Sequence, residues 1–247
     1  MPSVLGCVLA LLAAAVPAAG QQPTQQELVD RLLGSAPAQA EPGEDPEQAA
    51  RILYALGFSL WRPVLQLGLS GEEAESVLRG LRDAAAGGEP TVELETYGPM
   101  IEAFARGRIV GLIEAEKVRA AAFVERAADE PGATRTASGL VFFDRQSGTG
   151  AMPSAADTVR VNYRGTLGDG TEFDSSYARG EPAEFQLSSV IPCWTEGVAM
   201  MRVGGTARLV CPASLGYGDR GQPPEIPGGA ALVFEVELLA VVGGAVP

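Results

Sequence analysis

From about Glu95 to Asp129 a single helical pattern runs on until Pro131-Gly132 stops it, and no small domain can absorb a helix of that length. At ~1.5 Å per residue such a helix would extend on the order of 50 Å. Its first half carries Ile101, Phe104, Ile109, Leu112 and Ile113, whereas its second half is largely Ala, Glu and Arg. Upstream, from Glu47, a 3.6-residue period places Ile52, Leu53, Leu56, Leu60 and Val64 on one face. Ser70-Gly71-Glu72-Glu73 then sets Ser and Glu at capping-box spacing. It opens a second helix with Val77, Leu78 and Leu81, which ends near Gly87-Gly88. Three helices, one of them oversized, cannot bury these faces on one another, so a partner is expected. The alternative is a self-contained helical domain with a solvated connector.

After Pro131 the period changes. Thr136 to Phe143 reads as a first strand, and Thr158 to Tyr163 alternates apolar and polar as a half-buried strand should. Asp169-Gly170 is a hairpin turn signal. Thr206 to Cys211 and Ala231 to Val242 are further strands, the last with Leu232, Phe234, Val236 and Leu238 on one face. Between them, Trp194 to Met201 is long enough for one helix, packed into the curve of the sheet. The predicted class is α+β, and 247 residues, 46% of them apolar, suffice for two compact units.

The N-terminus reads as an export signal over residues 1–20. Val4 to Val16 is uncharged and apolar, too short to span a bilayer, and Ala18-Ala19-Gly20 offers small residues for cleavage before Gln21. No Lys or Arg precedes the apolar core, which a misplaced start or a weak signal would explain. Val4-Leu5-Gly6-Cys7 superficially resembles a lipoprotein box, but it precedes the apolar run instead of ending it. Residues 21–46, rich in Gln, Pro and Ala, read as a flexible lead-in. The expected location is the periplasm, with outer-membrane association left open.

Much chemistry is excluded. The net charge of −13 argues against nucleic acid and anionic membrane surfaces as partners. With no histidine in the chain, Ser-His-Asp and Cys-His nucleophiles and most His-ligated metal sites are ruled out. No phosphate-cradling G-x-x-x-x-G-K loop is present. No cofactor and no metal are expected. What remains is a set of aromatics alternating with one carboxylate on strand-length pieces. These are Tyr163-Arg164-Gly165-Thr166-Leu167, Asp169 to Ser176 around Phe173-Asp174, Val190-Ile191-Pro192-Cys193-Trp194, and Leu215-Gly216-Tyr217-Gly218. An isolated strand aromatic is more often core than site.

The order of these pieces resembles the FKBP-type peptidyl-prolyl isomerases, which reverses those odds. The resemblance implies a curved antiparallel sheet wrapped on a short helix, and a proline pocket within it. By position, Trp194 is similar to the pocket floor, Tyr163, Phe173 and Phe234 to its aromatic walls, and Val190 and Ile191 to its aliphatic edge. Tyr217 matches a hydroxyl that reaches a substrate carbonyl, and Asp174 a rim carboxylate that either orients Tyr163 or meets the twisted carbonyl. Arg179 falls where a family arginine pairs with that aspartate, and Ile226 in the loop that covers the pocket. Three departures stand out: Ala183 in place of another pocket aromatic, Glu225 in place of a hydrophobic residue, and Cys193 in place of the glycine before the Trp. Cys193 and Cys211 remain after signal removal. In an oxidising compartment the pair favours a disulfide, which the family fold would allow, with two buried free thiols as the alternative.

The helical segment resembles the N-terminal dimerisation domain of the exported Mip-like subfamily, through Tyr54 to Leu60, Leu67-Gly68-Leu69-Ser70, and Leu94 to Pro99. The implied organisation is a helical dimerisation domain and linker helix over 47–130 and an isomerase domain over 131–247. The implied partners are a second copy of the chain, proline-containing unfolded polypeptides and macrolide inhibitors. On this reading a chain lacking residues 21–130 stays folded as a monomer and turns over small peptides. The rival readings are a proline-independent holdase, or binding module, working through the dimer cleft, and a surface adhesion factor.

Overall fold

The computed structural model describes residues 45–242, so the expected signal and nearly all of the lead-in lie outside the described residues. Helix α1 spans Pro46–Leu65 and α2 spans Gly71–Ala85. The capping box of α2 is formed as its spacing predicts. Glu73 N–H donates to Ser70 Oγ at 3.3 Å, and Ser70 N–H donates to Glu73 Oε2 at 2.7 Å. A single turn, α3 (Leu94–Tyr97), precedes the long helix α4 (Met100–Ala128). The helix expected from Glu95 is therefore interrupted at Gly98-Pro99. Proline has no N–H to give the preceding turn and suits a helix start.

The chain divides into two compact units between Gly57 and Phe58, inside α1. Arg108 of α4 forms an ion pair with Glu73 at the start of α2. None of the described residues of α1, α2 or α3 is buried. Leu53 and Leu60 of α1 are 66% and 65% exposed, and Ile101 of α4 is 66% exposed.

Seven strands form one antiparallel sheet: β1 (Ala133–Arg135), β2 (Val141–Gln146), β3 (Thr158–Leu167), β4 (Glu172–Ser175), β5 (Ala183–Gln186), β6 (Thr206–Cys211) and β7 (Leu232–Val242). Their order is β1-β2-β6-β7-β3-β4, with β5 also on β3. A one-turn helix, α5 (Ser176–Arg179), and a two-turn helix, α6 (Pro192–Ala199), complete the domain. The single strand expected over 136–143 is instead a hairpin of β1 and β2. Its turn closes through Thr136 N–H to the Leu140 carbonyl at 2.9 Å and Gly139 N–H to the Thr136 carbonyl at 3.1 Å. Ser138-Gly139 is a turn dipeptide, set directly before the apolar run Leu140 to Phe143.

The sheet is covered on both faces. One face presents Val159, Val161, Tyr163, Leu209, Leu232, Phe234, Val236 and Leu238 to Trp194 and Val198 of α6, as the alternation in β3 and β7 predicts. The other presents Val141, Phe143, Val210 and Val233 to Ala120, Val124 and Ala127 in the last turns of α4. The Ala-rich half of the long helix is thus a lid on the sheet, its small side chains allowing close approach. The bridge between Cys193, in the first turn of α6, and Cys211, at the end of β6, has its Cα atoms 5.8 Å apart and both residues buried.

Two outcomes follow. Cutting the chain before residue 131 uncovers Phe143, Val210 and Val233, at a cost of about 3–5 kcal/mol for burial of Val124 and its partners. Its thermal midpoint should lie about 10–20 °C below that of a chain cut before Leu112, which keeps the lid. The second concerns the bridge. Replacing both Cys193 and Cys211 with Ser should lower stability in denaturant titration by roughly 3 kcal/mol, the scale for closing a loop of this length. Two free thiols in the mass of the non-reduced protein would exclude the bridge.

Candidate active site

One edge of β3 is shared by two short strands. Residues 158–161 pair with β5 and 164–166 with β4, which leaves Asn162 and Tyr163 unpaired on that side. The one-turn helix α5 fills the gap. Ser175 caps it by accepting from Ala178 N–H at 3.4 Å, and the fully buried Ser176 Oγ accepts from Tyr163 N–H at 2.9 Å. The same turn swings Arg179 back over Tyr163, its guanidinium 5.4 Å from the ring centre.

Tyr163 is the hub of a polar triad at the rim. Its hydroxyl donates to Asp174, Arg179 pairs with the same carboxylate, and Arg179 Nη2 donates to the Tyr163 hydroxyl at 2.8 Å. Burial, then the Asp174 hydrogen bond, pushes the Tyr163 hydroxyl up to about 12. For Asp174, burial alone would raise the carboxyl, but the hydrogen bonds from Tyr163 and Arg179 outweigh it and hold the group below its ordinary value. Asp174 is therefore ionised and Tyr163 neutral across the physiological range.

Below the rim the rings converge on Trp194. Its indole is met edge-on by Tyr163 at 5.1 Å, Phe185 at 5.3 Å and Phe234 at 5.3 Å, with Phe173 edge-on to Phe234 at 5.6 Å. Gly165 makes this possible, because a Cβ there would lie 2.7 Å from Phe173 and 3.1 Å from Phe234. Val190 and Ile191, leading into α6, pack half-buried against the cluster. Ile226 is buried in the same cluster from the long connection between β6 and β7. Tyr217, from that connection too, is 37% exposed, and burial and then the Asp174 charge raise its hydroxyl. The structure thus brings Tyr163, Phe173, Val190, Ile191, Trp194, Ile226 and Phe234 into one cluster, with Asp174 and Arg179 held on it through Tyr163, whereas Tyr217 lies outside the cluster and within reach of the Asp174 charge.

Three contributors carried no role in the sequence reading. Phe185 closes on Trp194 and Tyr163 two residues beyond Ala183, where an aromatic was noted as missing; the alternation of β5 was the available signal. Ser176 and Gly165 stand inside the quoted motifs, but only the sheet gap and the ring packing give them work. Two surface grooves lie elsewhere, one along Pro99, Ala103, Gly107 and Val110 of α4, the other between α4 and the β1–β2 hairpin. Trp194, at the centre of the aromatic cluster, is only 4% exposed. No group of acidic or cysteine side chains that could hold a metal occurs among the described residues.

The family model for FKBP-type peptidyl-prolyl cis-trans isomerase matches residues 150–239, the span that carries the cluster. The FKBP-type 22 kDa peptidyl-prolyl cis-trans isomerase of Escherichia coli (strain K12) is 39% identical over 200 residues, 78% of this chain and 95% of that protein. The chain belongs to the FKBP-type isomerases. FkpA of Escherichia coli (strain K12) is 37% identical over 201 residues, covering 76% of this chain and 74% of its own length. The crystal structure of FkpA from Escherichia coli matches with a TM-score of 0.61 at 36% identity, over 80% of this chain and 97% of that one. The FKBP likeness therefore includes the helices as well as the sheet.

The triad sets a pH signature for this FKBP domain. A lowered Asp174 stabilises the fold above the unfolded carboxylate range, and that stability is lost as pH falls through its folded value. A raised Tyr163 stabilises below its unfolded value, and that share is lost as pH climbs from there toward about 12. Thermal midpoints should be flat between about pH 5 and pH 9, and Tyr163→Phe should lessen the alkaline fall. A stability transition near neutral pH would contradict this.

Proposed function

We propose that the chain is a peptidyl-prolyl cis-trans isomerase that assists folding of exported proteins, using Trp194 as the floor of a water-poor proline site. The peptide bond resists rotation by about 18–20 kcal/mol because resonance gives its C–N bond double-bond character. A bond twisted halfway loses that resonance and much of its carbonyl polarity. An apolar surface therefore prefers it over the planar form, which wets better. That is differential binding without covalent chemistry, and each ~1.4 kcal/mol of preference gives tenfold in rate. The convergence of Tyr163, Phe185 and Phe234 on one indole carries the proposal.

In this reading Phe173, Phe234 and Tyr163 wall the proline ring, with Val190, Ile191 and Ile226 on the aliphatic side. Tyr217 offers its hydroxyl to a substrate carbonyl. Asp174 is committed to Tyr163 and Arg179, which favours the orienting role over a direct interaction with the twisted carbonyl. The exposed apolar faces of α1 and α4 support a homodimer built through the helices of an exported protein. The same surfaces favour the second reading, in which the dimer also holds unfolded chains independently of proline.

Isomerisation of a proline-containing tetrapeptide decides between these readings. Trp194→Leu should lower kcat/KM at least tenfold and Asp174→Val about tenfold, with folding intact by circular dichroism. Unchanged turnover in both variants removes the site assignment and leaves the holdase reading. For the assembly, sedimentation equilibrium of the mature chain should give twice its mass, and Leu60→Asp with Ile101→Asp should give a monomer.

A further inference from the structure

We propose that Lys117, on the long helix α4, is a positioning residue for the isomerase site, acting through the connection between β6 and β7. The proposal rests on the isomerase reading above. Lys117 is the chain's one lysine, in a protein whose basic charge is otherwise arginine. Its Nζ lies 2.7 Å from Asp219 Oδ2 and 3.0 Å from Glu114 Oε1. Glu114 is on its own helix; Asp219 is not. Asp219 sits in the turn directly after Tyr217, so the pair joins the helical part of the chain to the piece of backbone that presents a site hydroxyl.

The contact continues beside the ion pair, backbone against backbone. A Cβ on Gly229 would lie 2.9 Å from the Ile113 carbonyl oxygen and 2.9 Å from Lys117 Cγ, and one on Gly228 would lie 3.0 Å from Ile113 Cγ1. Gly229 also has φ of +85°, which side-chain-bearing residues rarely adopt. The Gly228-Gly229 pair thus lets the loop rest on the helix one turn before Lys117.

The loop is in turn closed on itself, which makes the contact consequential. Gly229 N–H donates to the Gly218 carbonyl at 2.8 Å, tying the loop's end to its start. Gln222 and Ile226 exchange backbone hydrogen bonds of 2.8 and 3.0 Å at its tip. A body so cross-tied moves as a unit, so a handle at Asp219 and Gly229 sets the places of Tyr217 and Ile226 together. Ile226 is anchored by burial in the aromatic cluster, but Tyr217 is not. Loss of the Lys117 handle therefore acts chiefly on the hydroxyl, the group proposed to meet the carbonyl as it rotates. An ion pair between half-exposed groups contributes little to global stability, whereas small misplacement of a reacting contact is costly in rate.

The experiment compares Lys117→Met, Asp219→Asn, their combination, and Lys117→Arg in the full chain. The readouts are tetrapeptide turnover, thermal unfolding, and hydrogen exchange at Gly221, Gln222, Ile226 and Gly229. The Met and Asn variants should each lose about three- to tenfold in kcat, with KM changed less than about twofold and the thermal midpoint unmoved. The double variant should be no worse than either single one, as expected for residues acting as one unit. Lys117→Arg should retain activity, and the loop amides should exchange faster in the Met variant. Wild-type turnover and exchange in Lys117→Met overturn the proposal, as does faster exchange with unchanged kcat, or a loss of kcat that simply follows lost stability. A wild-type chain that does not isomerise the peptide while binding unfolded protein overturns the isomerase reading instead, and this role with it.

Discussion

The indole of Trp194 touches three other rings, each nearly perpendicular to it. Edge-to-face pairs are worth about 0.5–1.5 kcal/mol each beyond the area they bury. Their geometry also fixes where every partner can stand. Tyr163 comes from β3, Phe185 from β5 and Phe234 from β7, so one side chain holds three strands in register around a two-turn helix. The Cys193–Cys211 bridge secures that helix from below at the residue next to the indole. Loss of this contact would let α6 and the sheet part, and the rim triad would have nothing to stand over.

The sheet is sandwiched between unequal covers. On one side α6 and the aromatic cluster form the larger core, while the other is covered by Ala120, Val124 and Ala127 of α4, with Phe123 and Ala128 packed beside them. That second, thinner contact ties the long helix to the FKBP fold. The helix is in consequence a structural member of the domain over its last turns and an apolar-faced rod over its first.

Much of this was legible in the sequence, for physical reasons that can be named. The alternation of Val159, Val161 and Tyr163, and of Leu232, Phe234, Val236 and Leu238, gave the two longest strands and their buried face. Pro131-Gly132 gave the helix end to within a few residues. Alanine is what hid the back-face contact: it is equally at home on a solvated helix and under a sheet, so Ala120 and Ala127 carry no amphipathic signal. The β1–β2 hairpin is hidden because its Ser138-Gly139 turn directly adjoins the apolar run Leu140 to Phe143, and the two read as one strand. Ser176 was invisible because its work, accepting from Tyr163 N–H, exists only once β4 and β5 leave a gap. That residues from Tyr163 to Phe234 gather in one place could be expected from their order alone, whereas Phe185 needed the strand pairing that sets it two residues beyond Ala183.

The divided edge of β3 has a consequence for how such a site can diverge. Ladder pairing on that edge stops at Ser175 and resumes at Ala183, so the backbone from Gly180 to Pro182 answers to no register. Residues inserted or deleted there would leave all seven strands aligned and the buried rings in place. They would change only how Arg179 is delivered to the rim. Evolution can therefore retune the mouth of the site by loop length, with the folding problem already solved beneath it.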